Sequence, residues 1–195
     1  MQSLLTRYSK IFHRDHYLDT AASIYPAVYL TYEMAETTAR LVASFGSSRK
    51  PHEGIVYWAG IATSSSWVIV SVLTPEAETT PGSYRTTVRA NAYVVKAVNE
   101  MKLQILAQVH GHPTDWVNHS LGDNIGAFMP YEGFYSVILP GYGLRGMLPI
   151  ETCGFHRFEH GRFVYIEAGE VKKHFVVVPS SVDFRRTDKS SWQMK

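Results

Sequence analysis

The sequence predicts a single α/β domain, because runs with helical spacing of apolar residues alternate with short runs rich in Val, Ile, Tyr and Trp. The 195 residues suit one core, and 45% hydrophobic with 18% charged residues is the composition of an ordinary folded domain. No stretch approaches the ~20 apolar residues that span a bilayer. The domain is expected over residues 27–179, with an N-terminal extension over 1–26 and a polar tail over 180–195.

Leu30, Met34, Thr38, Leu41, Val42 and Phe45 recur at helical spacing and stop at Gly46, which predicts a first helix over about 27–45. Segments 54–62 and 66–73 read as two antiparallel strands joined at Thr63-Ser64-Ser65. The stretch 74–83, with two Pro, one Gly and two Glu, reads as an exposed loop. Val88, Ala92, Val95, Val98 and Met101 mark a second helix, and 103–109 is an apolar strand. Ser120 is placed to cap a short helix. Strands are expected at 135–139, 154–159, 162–167 and 174–178, with turns at His160-Gly161 and Ala168-Gly169.

The net charge of +2 is too mild to argue for nucleic acid, and neither a targeting nor a membrane segment is visible. One cysteine, Cys153, rules out an internal disulfide and fits a reducing compartment, so a cytoplasmic location is expected.

The chemistry concentrates where the 103–109 strand ends. His110-Gly111-His112-Pro113 is followed by Ser120 and Asp123, which reads H-x-H-x7-S-x-x-D. Side chains alternate along a strand, so His110 and His112 point the same way if the extended backbone continues. Ser120 and Asp123, three apart, share a helical face. Two His and one Asp are ligands that zinc accepts, and three protein ligands leave a fourth tetrahedral position for water, as in catalytic sites. A base is still needed, and Glu53 is the candidate: an acidic side chain ahead of the run Gly54-Ile55-Val56-Tyr57-Trp58-Ala59-Gly60 has no packing reason to be there. Ser120 offers a hydroxyl to an oxyanion. In the bland alternative the two histidines are polar strand-end residues, Ser120 is a cap and Asp123 is a first-turn acid.

Glu53 with Gly54 and Gly60, then H-x-H-P, then S-x-x-D, resembles the JAMM (JAB1/MPN/Mov34) metalloprotease family, of prokaryotic JAB type. The resemblance spans about residues 27–140. It implies a three-layer α-β-α sandwich around a curled mixed sheet, similar to cytidine deaminases. It implies a zinc-dependent, deubiquitinase-like isopeptidase acting at the C-terminal tail of a ubiquitin-like protein, with that protein, its conjugates and E1-like or E2-like proteins as partners. By position, His110, His112 and Asp123 would bind zinc, Glu53 would be general acid/base and Ser120 would steady the oxyanion. Gly111 stands where the family commonly has Ser or Thr and is expected to loosen the loop. Segment 74–83 is short where eukaryotic members carry an insertion.

Two other functions compete. An MPN-like scaffold would bind the same partner without cutting it; a zinc hydrolase or deaminase would act on a small molecule, though deamination would need a Pro-Cys-x-x-Cys pair that this chain lacks. His52 and His119 flank the site and are expected to stand outside the ligand set.

Overall fold

A computed structural model of the chain describes residues 26–181. The extension and the tail expected from the sequence lie almost wholly outside the described residues.

The chain enters as strand β1 (Ala27–Thr31), whose Val28 and Leu30 alternate inward. Thr31 then accepts a hydrogen bond from the Met34 N–H and caps helix α1 (Tyr32–Val42). The helix expected over 27–45 is therefore a strand and a shorter helix. The strand wins because β1 fills a gap in the sheet, pairing in parallel on both sides.

A two-residue ladder, β2 (Gly46–Ser47) with β3 (Lys50–Pro51), leads to β4 (Ile55–Ala62) and β5 (Ser66–Leu73), the antiparallel pair the sequence predicts. The stretch expected as a loop is instead mostly a hairpin, β6 (Ala77–Thr80) and β7 (Ser83–Thr86), turning at Pro81-Gly82. Here the prolines and glycine mark the approach and the tight turn rather than an open loop. Helix α2 (Val88–Glu100) is capped by Thr87 and delivers the chain to β8 (Gln104–Gly111). Helix α3 (Leu121–Gly126), β9 (Tyr135–Leu139), β10 (Gly154–Glu159) and β11 (Arg162–Ile166) follow. The expected turn at Ala168-Gly169 is the start of a helix, α4 (Ala168–His174), and β12 (Phe175–Val178) is the last strand.

Eight strands form one mixed sheet in the order β11-β10-β9-β8-β4-β5-β1-β12. Alternation along β4 sends its side chains to opposite faces. Val56 and Trp58 join Ala35, Ala39 and Val42 of α1 in one core. Ile55, Tyr57 and Ala59 join Val94 and Val98 of α2 in another. The sheet is thus sandwiched between helices, and Trp58 is pinned to α1 by its Nε1–H donating to Thr38 Oγ1 at 2.8 Å. Among the described residues no helix is long and apolar enough to cross a membrane.

Candidate metal centre

Register places the histidines. Ile55 on β4 pairs with His110 on β8, and paired residues share a face, so His110 and His112 stand on the α2 side of the sheet. Gly111 is part of β8 and pairs with Leu139. It does not loosen a loop, as expected from the sequence; it permits a close approach. A Cβ there would lie 2.9 Å from Tyr142 Cα, 3.0 Å from Tyr142 C and 3.0 Å from Val42 Cγ1. The Tyr142 N–H donates to the His112 carbonyl at 2.7 Å, and the His112 N–H donates to the Leu139 carbonyl at 2.9 Å, so the turn after β9 fixes the second histidine.

Asp123 arrives on α3. Ser120 Oγ accepts from the Asp123 N–H at 3.1 Å, while Asp123 Oδ2 accepts from the Ser120 N–H at 2.7 Å. This reciprocal cap is the bland role weighed for both residues, and it is real. It also aims the carboxylate at the histidines: Oδ1 lies 3.1 Å from His110 Nε2 and Oδ2 lies 3.2 Å from His112 Nε2. The two Nε2 atoms are themselves 3.1 Å apart. All three side chains are buried.

Their ligand atoms form a group able to hold a metal ion. Bonds of about 2.0–2.1 Å from a tetrahedral zinc set ligands about 3.3 Å apart, close to the observed spacing. His112 is prepared for such a role, because its Nδ1 lies 2.9 Å from the Trp116 carbonyl, which can only accept. With Nδ1 protonated, Nε2 keeps its lone pair. The Trp116 indole stacks on the same imidazole, 5.3 Å between centroids and 14° between planes.

Electrostatics follow from burial and from the carboxylate. Burial lowers His110 below the usual imidazole range despite Asp123. For His112 burial also lowers, but the hydrogen bonds to Asp123 and Trp116 outweigh it and the net shift is upward. Burial would raise Asp123; hydrogen bonds from His110, His112 and the Ser120 N–H hold it far below the usual carboxylate range.

Glu53 precedes β4 by two residues and is 7% exposed. The Gly111 N–H donates to the Gly54 carbonyl at 3.1 Å, so the antiparallel register carried one step further sets Glu53 opposite His112. Burial pushes its carboxyl up to about 7, with His112 opposing and Asp123 adding to the rise.

No protein-family model matches the chain, and no curated protein matches it. Among solved structures, the solution structure of protein DSY2949 from Desulfitobacterium hafniense is similar, with a TM-score of 0.58 at 14% identity over 78% of this chain and 93% of that one. The likeness is one of fold. It agrees with an α/β domain built on a mixed sheet, and the site stands on the geometry of this chain alone.

The structure brings together all five residues singled out in the sequence, places the two flanking histidines, and adds Tyr84 and His156 as neighbours the sequence did not reveal. His119 is held by Asn124 Oδ1 at 2.9 Å and stacks on His156, 4.0 Å between centroids, while its ring stands 6.4 Å from that of His110. Burial pushes His119 down to about 4 and His156 to about 3, so both are neutral packing partners of the centre. His52 turns instead to Thr79 Oγ1 at 3.0 Å. Cys153 is buried and directed at the Met147 carbonyl. Tyr84, on β7, lays its ring against His110 with 5.1 Å between centroids. No spacing in the sequence could have found Tyr84 or His156, because hairpin docking and strand order bring them in.

Proposed function

We propose that the chain is a zinc-dependent isopeptidase or peptidase of the JAMM type. Its substrate would be a peptide or isopeptide bond at the C-terminal tail of a ubiquitin-like protein, cut in deconjugation or precursor processing. The reading rests on Glu53, a buried carboxyl poised near neutrality and set by register opposite one histidine of a metal-competent triad. General acid/base work asks for such a group, with a pKa close to the working pH.

The donor set fits zinc: two imidazole nitrogens and a carboxylate at near-tetrahedral spacing. The chemistry that bound zinc supplies is acidification of a water molecule and polarisation of a carbonyl. The protein's own residues do the rest. Glu53 as carboxylate takes the proton of the attacking water and hands it to the departing amine. Ser120 Oγ accepts from the Asp123 N–H, which leaves its own hydroxyl proton free to meet the carbonyl oxygen as negative charge develops there. The Trp116 carbonyl keeps His112 in one tautomer, and the cap between Ser120 and Asp123 keeps the carboxylate aimed.

The test uses the full chain: zinc by elemental analysis, and cleavage of a fusion in which a ubiquitin-like protein carries an extension after its terminal Gly-Gly. About one zinc per chain with chelator-sensitive release of the extension supports the proposal. Binding of the fusion without release would assign the scaffold role instead.

A further inference from the structure

The β6–β7 hairpin is tied to the Glu53 segment by the Glu53 N–H donating to the Thr80 carbonyl at 2.9 Å and by the contact of His52 with Thr79. Tyr84 pairs with Thr79 across that hairpin. Docking therefore carries the Tyr84 ring onto His110. Its hydroxyl is buried and has no hydrogen-bond partner among the described residues. A buried phenol normally finds a partner, and leaving the donor without one is unfavourable. Nearby Tyr57 shows the ordinary outcome, donating to Asn91 Oδ1 at 3.1 Å. This unpartnered donor sits on a ring that lies against a triad histidine.

We propose that Tyr84 Oη is a second oxyanion donor, giving a hydrogen bond to the scissile carbonyl oxygen of the bound tail beside that of Ser120; this rests on the hydrolase reading. Tyr84 would then be a catalytic residue that touches a reacting atom and transfers nothing. As the water oxygen bonds to the carbonyl carbon, the C=O π pair moves onto oxygen and the Oη–H bond to it strengthens. As the C–N bond breaks, that pair returns, the amine leaves with the proton from Glu53, and the phenol keeps its own. An ordinary phenol ionises at pH ~10, well above the range of a carboxylate, so it remains a donor while Glu53 is ionised.

The test is Tyr84→Phe in the full, zinc-loaded chain, read by turnover and by calorimetric binding of a phosphinate analogue of the Gly-Gly tail. Phe keeps the ring on His110 and removes only an unpaired hydroxyl, so zinc content should match wild type and the melting temperature should not fall below it. The expected result is kcat lower by about a hundredfold, the usual effect of losing one oxyanion donor, at unchanged KM. Phosphinate affinity should fall with kcat, while the planar carboxylate product binds as before. Wild-type kcat and phosphinate affinity in Tyr84→Phe would overturn the donor role alone. Loss that tracks zinc or melting temperature would make Tyr84 a packing residue and overturn it too. A zinc-loaded wild type that neither cleaves the fusion nor binds the phosphinate would remove the hydrolase reading, and this inference with it.

Discussion

Glu53 faces His112 across the β4–β8 ladder: the Gly54 carbonyl accepts from the Gly111 N–H, and the next step of the register joins the two side chains' positions. A carboxyl that burial pushes up to about 7 is thereby set against a candidate metal ligand. Glu53→Gln should retain zinc and lose turnover by roughly a hundredfold to ten-thousandfold, the span attributed to general acid/base catalysis. Zinc analysis with a cleavage assay checks it, and full activity in this variant would remove Glu53 from the mechanism.

The same carboxyl makes the metal-free protein sensitive to pH. Its folded value of about 7 is above the ordinary 4.5, so the native state holds a proton that the unfolded chain has released. The resulting stability is complete below about pH 4.5 and is lost as the pH rises through about 7. Metal-free Glu53→Gln should therefore melt with wild type at pH 4.5 and a few degrees above it at pH 8. Calorimetric melts at the two pH values decide the sign.

To bind at the triad, zinc would have to displace the proton that Asp123 helps to hold on His112, whose value is raised. Metal affinity should climb with pH through the His112 titration and then level off. In Asp123→Asn one of the three charged or imidazole ligand groups is gone, and affinity should fall by more than the roughly 10–100-fold that loss of a mere partner of a ligand costs. Zinc titrations across pH for both proteins measure this, and a flat wild-type profile would contradict it.

Ser120 forms a helix cap, and the proposed mechanism gives it a second, separable role. Ser120→Ala should cost about 1 kcal/mol as a lost cap and also slow turnover. Ser120→Asp keeps a cap acceptor without a proton to give, so stability should return while turnover does not. Denaturant melts beside kinetics separate the two effects.

Gly111→Ser should destabilise the fold by about 1–3 kcal/mol, because the new Cβ must displace the Tyr142 backbone. Gly126→Ala, where nothing lies within 4 Å, is the control and should lose far less.

These sites differ in how far the sequence betrays them. Period-two alternation puts His110 and His112 on one face once β8 is recognised, and three-residue spacing does the same for Ser120 and Asp123. Glu53 is visible because burying an acid ahead of an apolar strand needs a reason. Strand β1 is hidden, since Leu30 also fits the helical spacing of α1, and the deciding partner, β12, lies far away in the chain. The β6–β7 hairpin is hidden by Pro75, Pro81 and Gly82, which read as an open loop although they flank and form a tight turn. Tyr84 and His156 reach the centre only through those long-range placements.

The most direct test is a zinc-edge anomalous difference map from crystals of the full chain grown with zinc. The account predicts one strong peak within bonding distance of His110 Nε2, His112 Nε2 and an Asp123 carboxylate oxygen, with Glu53 beside it. A zinc peak elsewhere, with these three side chains still bonded only to one another, would contradict it.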